Sequence, residues 1–138
     1  MKIYYGKAIY DKKEINASLS VLKSKSLTLI DGPLVKELEK KISKLFGKKY
    51  GLMVNSGSSA NLLALASLNL KKGDEVITPT LTFSTTVAPI YQLGLTPHFI
   101  DVESNSFVAK IDQIKKAINK KTKAIMVPNL LGNVPNWK

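Results

Sequence analysis

Apolar and polar positions along the chain fall into two regimes. In the first, apolar residues recur at helical spacing: Ile15, Leu19 and Leu22 stand at i, i+4 and i+7, one face of a helix. That helix opens at Asp11, with Glu14 three residues on, the spacing of a capping box. Residues 24–31 read as a loop closed by Gly32-Pro33. Pro33 suits the first turn of a second helix, where its missing N–H costs nothing. Val35, Leu38, Ile42, Leu45 and Phe46 form that helix's stripe, expected to be buried. Lys36, Glu37, Lys40, Lys41 and Lys44 lie on its outer faces, and Gly47 ends it in the C′ position.

From Tyr50 the pattern changes to short apolar runs alternating with helical segments. Strands are predicted at 50–54, 75–79, 96–100 and 123–128, with starts 25, 21 and 27 residues apart. Such intervals fit one strand, one helix and two short loops. Helices are predicted near 58–69, 84–93 and 112–119. Gly73 and Gly94 fall where helix-to-strand turns need a permissive backbone. Repeated β-α units imply an α/β fold with a mostly parallel sheet and flanking helices. After the last strand, Pro135 and Trp137 read as the entry to a further helix, with Trp137 packing on a part of the fold not yet built. The chain therefore reads as truncated.

Composition narrows the class. A chain of 138 residues, 44% hydrophobic and 22% charged, suits one compact domain and does not suit disorder. No apolar stretch approaches the roughly 20 residues of a membrane helix, and the start lacks a signal-peptide pattern, so a soluble cytoplasmic protein is expected. With no cysteine there is no disulfide, thiolate metal site or cysteine nucleophile.

The net charge of +11 suggests a polyanionic partner until it is divided along the chain. Residues 1–49 hold 12 lysines against 5 acids and residues 110–138 hold 7 against 1, whereas residues 50–109 hold 2 against 4. There is no arginine, the usual donor for bidentate recognition of bases and phosphates. Nucleic acid is therefore not the expected partner, and the lysine-rich faces read as solvated helix surfaces.

The chemistry gathers in the middle. Asn55-Ser56-Gly57-Ser58-Ser59-Ala60-Asn61 follows a predicted strand and leads straight into an apolar helix. Such a turn points backbone N–H groups at the positive end of a helix dipole, where an anion is stabilised. It matches neither a Walker A loop nor a G-x-G-x-x-G fingerprint. Phosphate binding and plain helix capping both explain it. Thr80-Leu81-Thr82-Phe83-Ser84 follows the next strand and leaves the same sheet edge. Phe83 either stacks on a planar ring held there or packs in the core. His98, with no second His or Cys to make a metal pair, is assigned no role, and Asp101 reads as a helix or turn cap.

Taken in order, Asn55 to Leu62, Gly73 to Thr78, Phe83 to Thr86, Gly94 to Pro97 and Thr122 to Ile125 resemble the DegT/DnrJ/StrS-type enzymes. Tyr5-Gly6, Glu14 and the Gly32–Gly47 helix fit the same pattern, so the resemblance covers nearly the whole chain. These are pyridoxal-phosphate-dependent aminotransferases and dehydratases of nucleotide-linked keto sugars, with the aspartate-aminotransferase fold. The resemblance implies an N-terminal helical segment, residues 1–49, and an incomplete cofactor-binding large domain of fold type I, residues 50–138. It places the phosphate of pyridoxal 5′-phosphate (PLP) at Gly57 and Ser58 with Ser59 close by, the pyridine ring under Phe83, and Asn129 toward substrate.

The Schiff-base residue and the aspartate that pairs with the pyridine nitrogen fall beyond residue 138 by the same resemblance. No lysine here takes the Schiff-base role, Lys71 and Lys72 included, so these residues alone are expected to be inactive. The implied partners are a nucleotide-linked keto sugar, an amino-acid donor such as glutamate, and a second copy of the chain in a homodimer. Aminotransfer is the expected reaction. Residues 83–86 and 129–133 lie closer to the sugar 3-dehydratase branch, which has histidine in place of the lysine. A noncatalytic domain that binds a phosphorylated ligand through residues 56–59 is the reading from a different class.

Overall fold

A computed structural model describes residues 4, 6–24, 29–30 and 32–136. The chain divides into two compact units, Met1–Met53 and Val54–Lys138.

In the first unit, helix α1 spans Lys12–Lys23 and carries the expected capping box. The Asp11 carboxylate accepts from the Lys13 amide (2.6 Å), and the Asp11 amide donates to Glu14 Oε2 (2.8 Å). Helix α2 spans Pro33–Leu45 with proline in its first turn. It ends as expected at Gly47, whose φ of +61° is left-handed. The Lys48 amide then donates to Ser43 O and the Gly47 amide to Lys44 O, the paired bonds of a Schellman motif. These ends form because each needs only neighbours within one turn.

Two expectations for this unit fail, and for one reason. The α2 stripe is not buried: Ile42 is 44% and Leu45 76% exposed, Leu38 and Phe46 are exposed, and Val35 is half-buried. The apolar face of α1 is open as well, at Ile15, Leu19 and Leu22. Nor do residues 50–54 form a strand. Amphipathic faces and strand ladders both need a partner element, and the described residues of this unit leave the apolar faces of both helices largely open. Residues 51–53 lie along α2 instead. The Met53 amide donates to Glu39 Oε1 (2.7 Å), and a Cβ on Gly51 would stand 2.6 Å from Glu39 O.

The second unit begins with helix α3 (Gly57–Ala66) and continues through β1 (Glu75–Pro79), α4 (Ser84–Gln92), β2 (Thr96–Ile100), α5 (Ile111–Ala117) and β3 (Thr122–Ile125). A 3-10 turn at Leu130–Gly132 follows. The strands are parallel in the order β2-β1-β3, with Ile77 opposite His98 on one side and Ile125 on the other. Val76 and Ile77, adjacent in β1, are fully buried on opposite faces. Val76 packs with Leu65, Ile90 and Leu95 beneath α3 and α4. Ile77 packs with Ile100, Ala109, Ile114 and Ala117 on the α5 side. A central strand covered on both faces explains its unbroken apolar run.

The expected helices and the last three strands are present, with shifted ends. α3 stops at Ala66 rather than 69, and β3 at Ile125 rather than 128, although the Met126 amide continues the ladder to Ile77 O. Gly73 and Gly94 both take the expected left-handed conformation. Residues 133–136 form no helix; Asn133 Nδ2 instead donates to Ser106 O (2.9 Å). Trp137 lies outside the described residues.

Candidate functional site

Because the three strands are parallel, the loops after β1 and β3 emerge at one edge of the sheet. The loop after β1 leads through Phe83 into α4. It is tied to β2 by Thr80, whose amide and hydroxyl both donate to Ile100 O (2.9 and 3.3 Å). The turn that starts α3 lies beside α4: Asn61 Nδ2 donates to Thr85 O over 3.1 Å. Ser58, Ser59, Leu62, Thr85, Ala88, Pro89 and Gln92 line a cleft of about 200 Å³ between the two helices.

Within the turn, the cap and the acceptorless amides belong to different residues. Ser56 is the N-cap, its Oγ accepting the Ser59 amide at 3.1 Å. Gly57 and Ser58 occupy the first two helical positions, whose amides have no acceptor inside a helix. No described residue accepts from them. A Cβ on Gly57 would meet nothing within 4 Å, so the glycine borders open space. These two amides and the Ser58 hydroxyl are uncharged donors at the positive end of the helix dipole. A cofactor phosphate fits donors of this kind.

Phe83 precedes α4 and is 69% exposed. The core-packing alternative is therefore wrong, and the ring is free to cover a planar group. Beside it, buried Thr82 Oγ1 has no hydrogen-bond partner; sequence reading did not single this atom out. Asn129 is exposed at the same sheet edge, three residues past the last ladder bond, where it caps the 3-10 turn. No hydrogen bond joins it to the serine turn or to Phe83. Asn61 and Thr85 lie within the motifs Asn55 to Leu62 and Phe83 to Thr86, and Pro89 outside them; the roles of all three appear only when α3 and α4 lie side by side.

The opposite edge carries the charge. Lys71 and Lys72 precede β1, with the Lys71 amide on Asp74 Oδ2 (2.8 Å), so they lie away from the serine turn. Glu75 opens β1 and accepts from Asn119 Nδ2 (2.7 Å), with His98 Nδ1 at 3.3 Å. The Asn119 hydrogen bond, then the His98 contact, holds the Glu75 carboxyl below the usual carboxylate range. His98 thus has a structural contact. Asp101 caps its own turn by accepting from the Val102 amide (2.8 Å). Among the described residues no group of three His, Cys, Asp or Glu side chains could hold a metal, and no helix is long and apolar enough to cross a membrane.

Known proteins share this fold. The GDP-4-keto-6-deoxy-D-mannose 3-dehydratase of Escherichia coli O55:H7 is 45% identical over 93% of this chain and 34% of its own length. A crystal structure of GDP-4-keto-6-deoxymannose-3-dehydratase with a trapped PLP–glutamate geminal diamine is 42% identical. It superposes with a TM-score of 0.86 over 96% of this chain and 36% of that one. The aminotransferase from Psychrobacter cryohalolentis is 27% identical, with a TM-score of 0.83 over 92% of this chain and 32% of its own. The chain spans about a third of the length of the curated relatives it matches. Its α/β sheet is part of the large domain of PLP fold type I, and PLP is the cofactor of these relatives. The profile of the DegT/DnrJ/EryC1/StrS aminotransferase family matches residues 8–137, and the chain belongs to that family.

Proposed function

We propose that this chain is the cofactor-anchoring part of a PLP-dependent enzyme that acts on a nucleotide-linked 4-keto sugar. Residues 1–49 are its N-terminal helical segment and residues 50–138 the first part of its PLP-binding domain. The observation that carries this reading is the pair of acceptorless amides, Gly57 and Ser58, facing open space where α3 begins.

When bound, the cofactor supplies an electron sink for bonds at the substrate carbon joined to it. The residues of this chain bind and orient it. The amides of Gly57 and Ser58 and the Ser58 hydroxyl donate to the phosphate, and Ser59, its amide held by Ser56, keeps the turn in shape. Phe83 covers one face of the pyridine ring and shields it from water. Asn129 stands toward the sugar. The residue that bonds the cofactor lies beyond residue 138, and the working enzyme is a cytoplasmic homodimer.

Two reactions fit this frame. Removal of the sugar 3-hydroxyl is supported by 45% and 42% identity to 3-dehydratases, with solved aminotransferases at 27% to 32% and TM-scores of 0.83 and 0.84. Amino transfer from glutamate to the keto sugar is the second reading, supported by the name of the family. The test is to express the gene, titrate the protein with PLP by absorbance, and supply a GDP- or dTDP-linked 4-keto-6-deoxy sugar with glutamate. A 3-deoxy product supports dehydration and an amino sugar supports transfer. A protein that binds phosphate but neither binds PLP nor turns over the sugar is a noncatalytic phosphate-binding domain.

A further inference from the structure

Helix α4 contains a proline, Pro89, fully buried in its interior. Proline has no N–H, so the carbonyl four residues earlier, Thr85 O, gets no helical hydrogen bond from that position. The donor comes from the neighbouring helix, as Asn61 Nδ2 donates to Thr85 O over 3.1 Å. With any other residue at 89, α4 could satisfy this carbonyl by itself. The proline makes the carbonyl available across the helix pair.

The position of this bond gives it a consequence. Asn61 lies one turn beyond Gly57, the first residue of α3, and Thr85 lies two residues beyond Phe83, which caps α4. One hydrogen bond therefore joins the helix that presents the phosphate cradle to the helix that presents the aromatic ring. Ser58, Ser59, Thr85 and Pro89 line the cleft between them.

We infer that Asn61 is a positioning residue: docked on the carbonyl that Pro89 frees, it sets the spacing between the Gly57–Ser58 cradle and Phe83. This rests on the assignment of those residues to PLP. The phosphate and pyridine ring of PLP are joined by one short arm, so its affinity depends on how the two helices are placed relative to each other. Inorganic phosphate meets the cradle alone and does not depend on that spacing.

The test is a double-mutant cycle of Asn61→Asp and Pro89→Ala on the protein expressed from its gene and freed of cofactor. Apoprotein Tm, PLP affinity by absorbance and inorganic phosphate affinity are measured for each variant. Asn61→Asp keeps the shape of the side chain and removes the donor; Asn61→Ala replaces it if the carboxylate prevents folding. The expected result is PLP binding weakened about tenfold with phosphate binding unchanged. The loss of Tm is smaller in the Pro89→Ala background, where a new backbone N–H serves Thr85 O. PLP and phosphate affinities that fall in step, or that both hold, overturn the positioning role. An equal loss of Tm in both backgrounds overturns the pairing with Pro89. A wild-type protein that binds no PLP overturns the cofactor reading and the positioning role with it, while the Tm cycle still decides the pairing.

Discussion

Asn119 donates its side-chain N–H to Glu75 over 2.7 Å, joining the turn before β3 to the first residue of β1. His98, in β2, lies 3.3 Å from the same carboxylate oxygen. One oxygen thus connects β1, β2 and the turn before β3, at the sheet edge opposite Phe83. The register between β1 and β3 shifts at this point, between Glu75 and Val76.

The lowered pKa of Glu75 makes this knot sensitive to acid. A carboxyl whose folded pKa is depressed stabilises the fold above its unfolded pKa of about 4.3 and loses that stabilisation as pH falls through the folded pKa. Glu75→Ala is expected to lower Tm at pH 7, with the difference from wild type shrinking below about pH 4. Thermal melts across pH 3–8 check this. A constant difference at every pH would show that the charge on Glu75 contributes nothing.

Gly51 should tolerate no side chain. Its Cβ would meet the backbone oxygen of Glu39 at 2.6 Å, and a helix carbonyl cannot move aside as a flexible side chain can. Gly51→Ala is expected to cost about 1–3 kcal/mol. Gly47→Ala is expected to cost about 1–2 kcal/mol for a different reason, since its φ is left-handed and no contact opposes the methyl group. Amide exchange in α2 should accelerate in both variants.

Ser56 and Ser58 should separate stability from binding. Ser56→Ala removes the cap of α3 and is expected to cost about 1 kcal/mol. Ser58→Ala leaves the cap in place and should unfold within about 0.5 kcal/mol of wild type while binding PLP less tightly. If Ser58→Ala lowers Tm as much as Ser56→Ala and leaves PLP affinity unchanged, the division of labour in the turn is wrong.

Phe83 and Ile77 form a similar contrast. Ile77 is fully buried in the central strand, and Ile77→Ala is expected to cost about 2–5 kcal/mol. Phe83→Ala removes an exposed ring, so it should cost under about 0.5 kcal/mol and reduce PLP affinity. Denaturant melts and a PLP titration distinguish the two. A large stability loss at Phe83 would return the ring to a packing role.

What could be read from the sequence was what the chain decides within a few residues. The Asp11–Glu14 box, the Gly47 terminus, the strands at 75–79 and 96–100 and the helix starting after Ser56 each depend on local bonds or on an apolar run long enough to be recognised. The amphipathic stripe of α2 and the strand expected at 50–54 were read from patterns just as clear, yet the stripe is exposed and the strand unformed. Burial and ladder pairing are completed by a partner, and no pattern within a segment shows whether one is present. Phe83 illustrates the same limit, since its spacing suited a core position and only the packing of α4 left it exposed. The bond from Asn61 to Thr85 depended on tertiary structure entirely. A proline in one helix frees a carbonyl, but the donor that satisfies it stands 24 residues away in sequence and comes within 3.1 Å only when the helices pack.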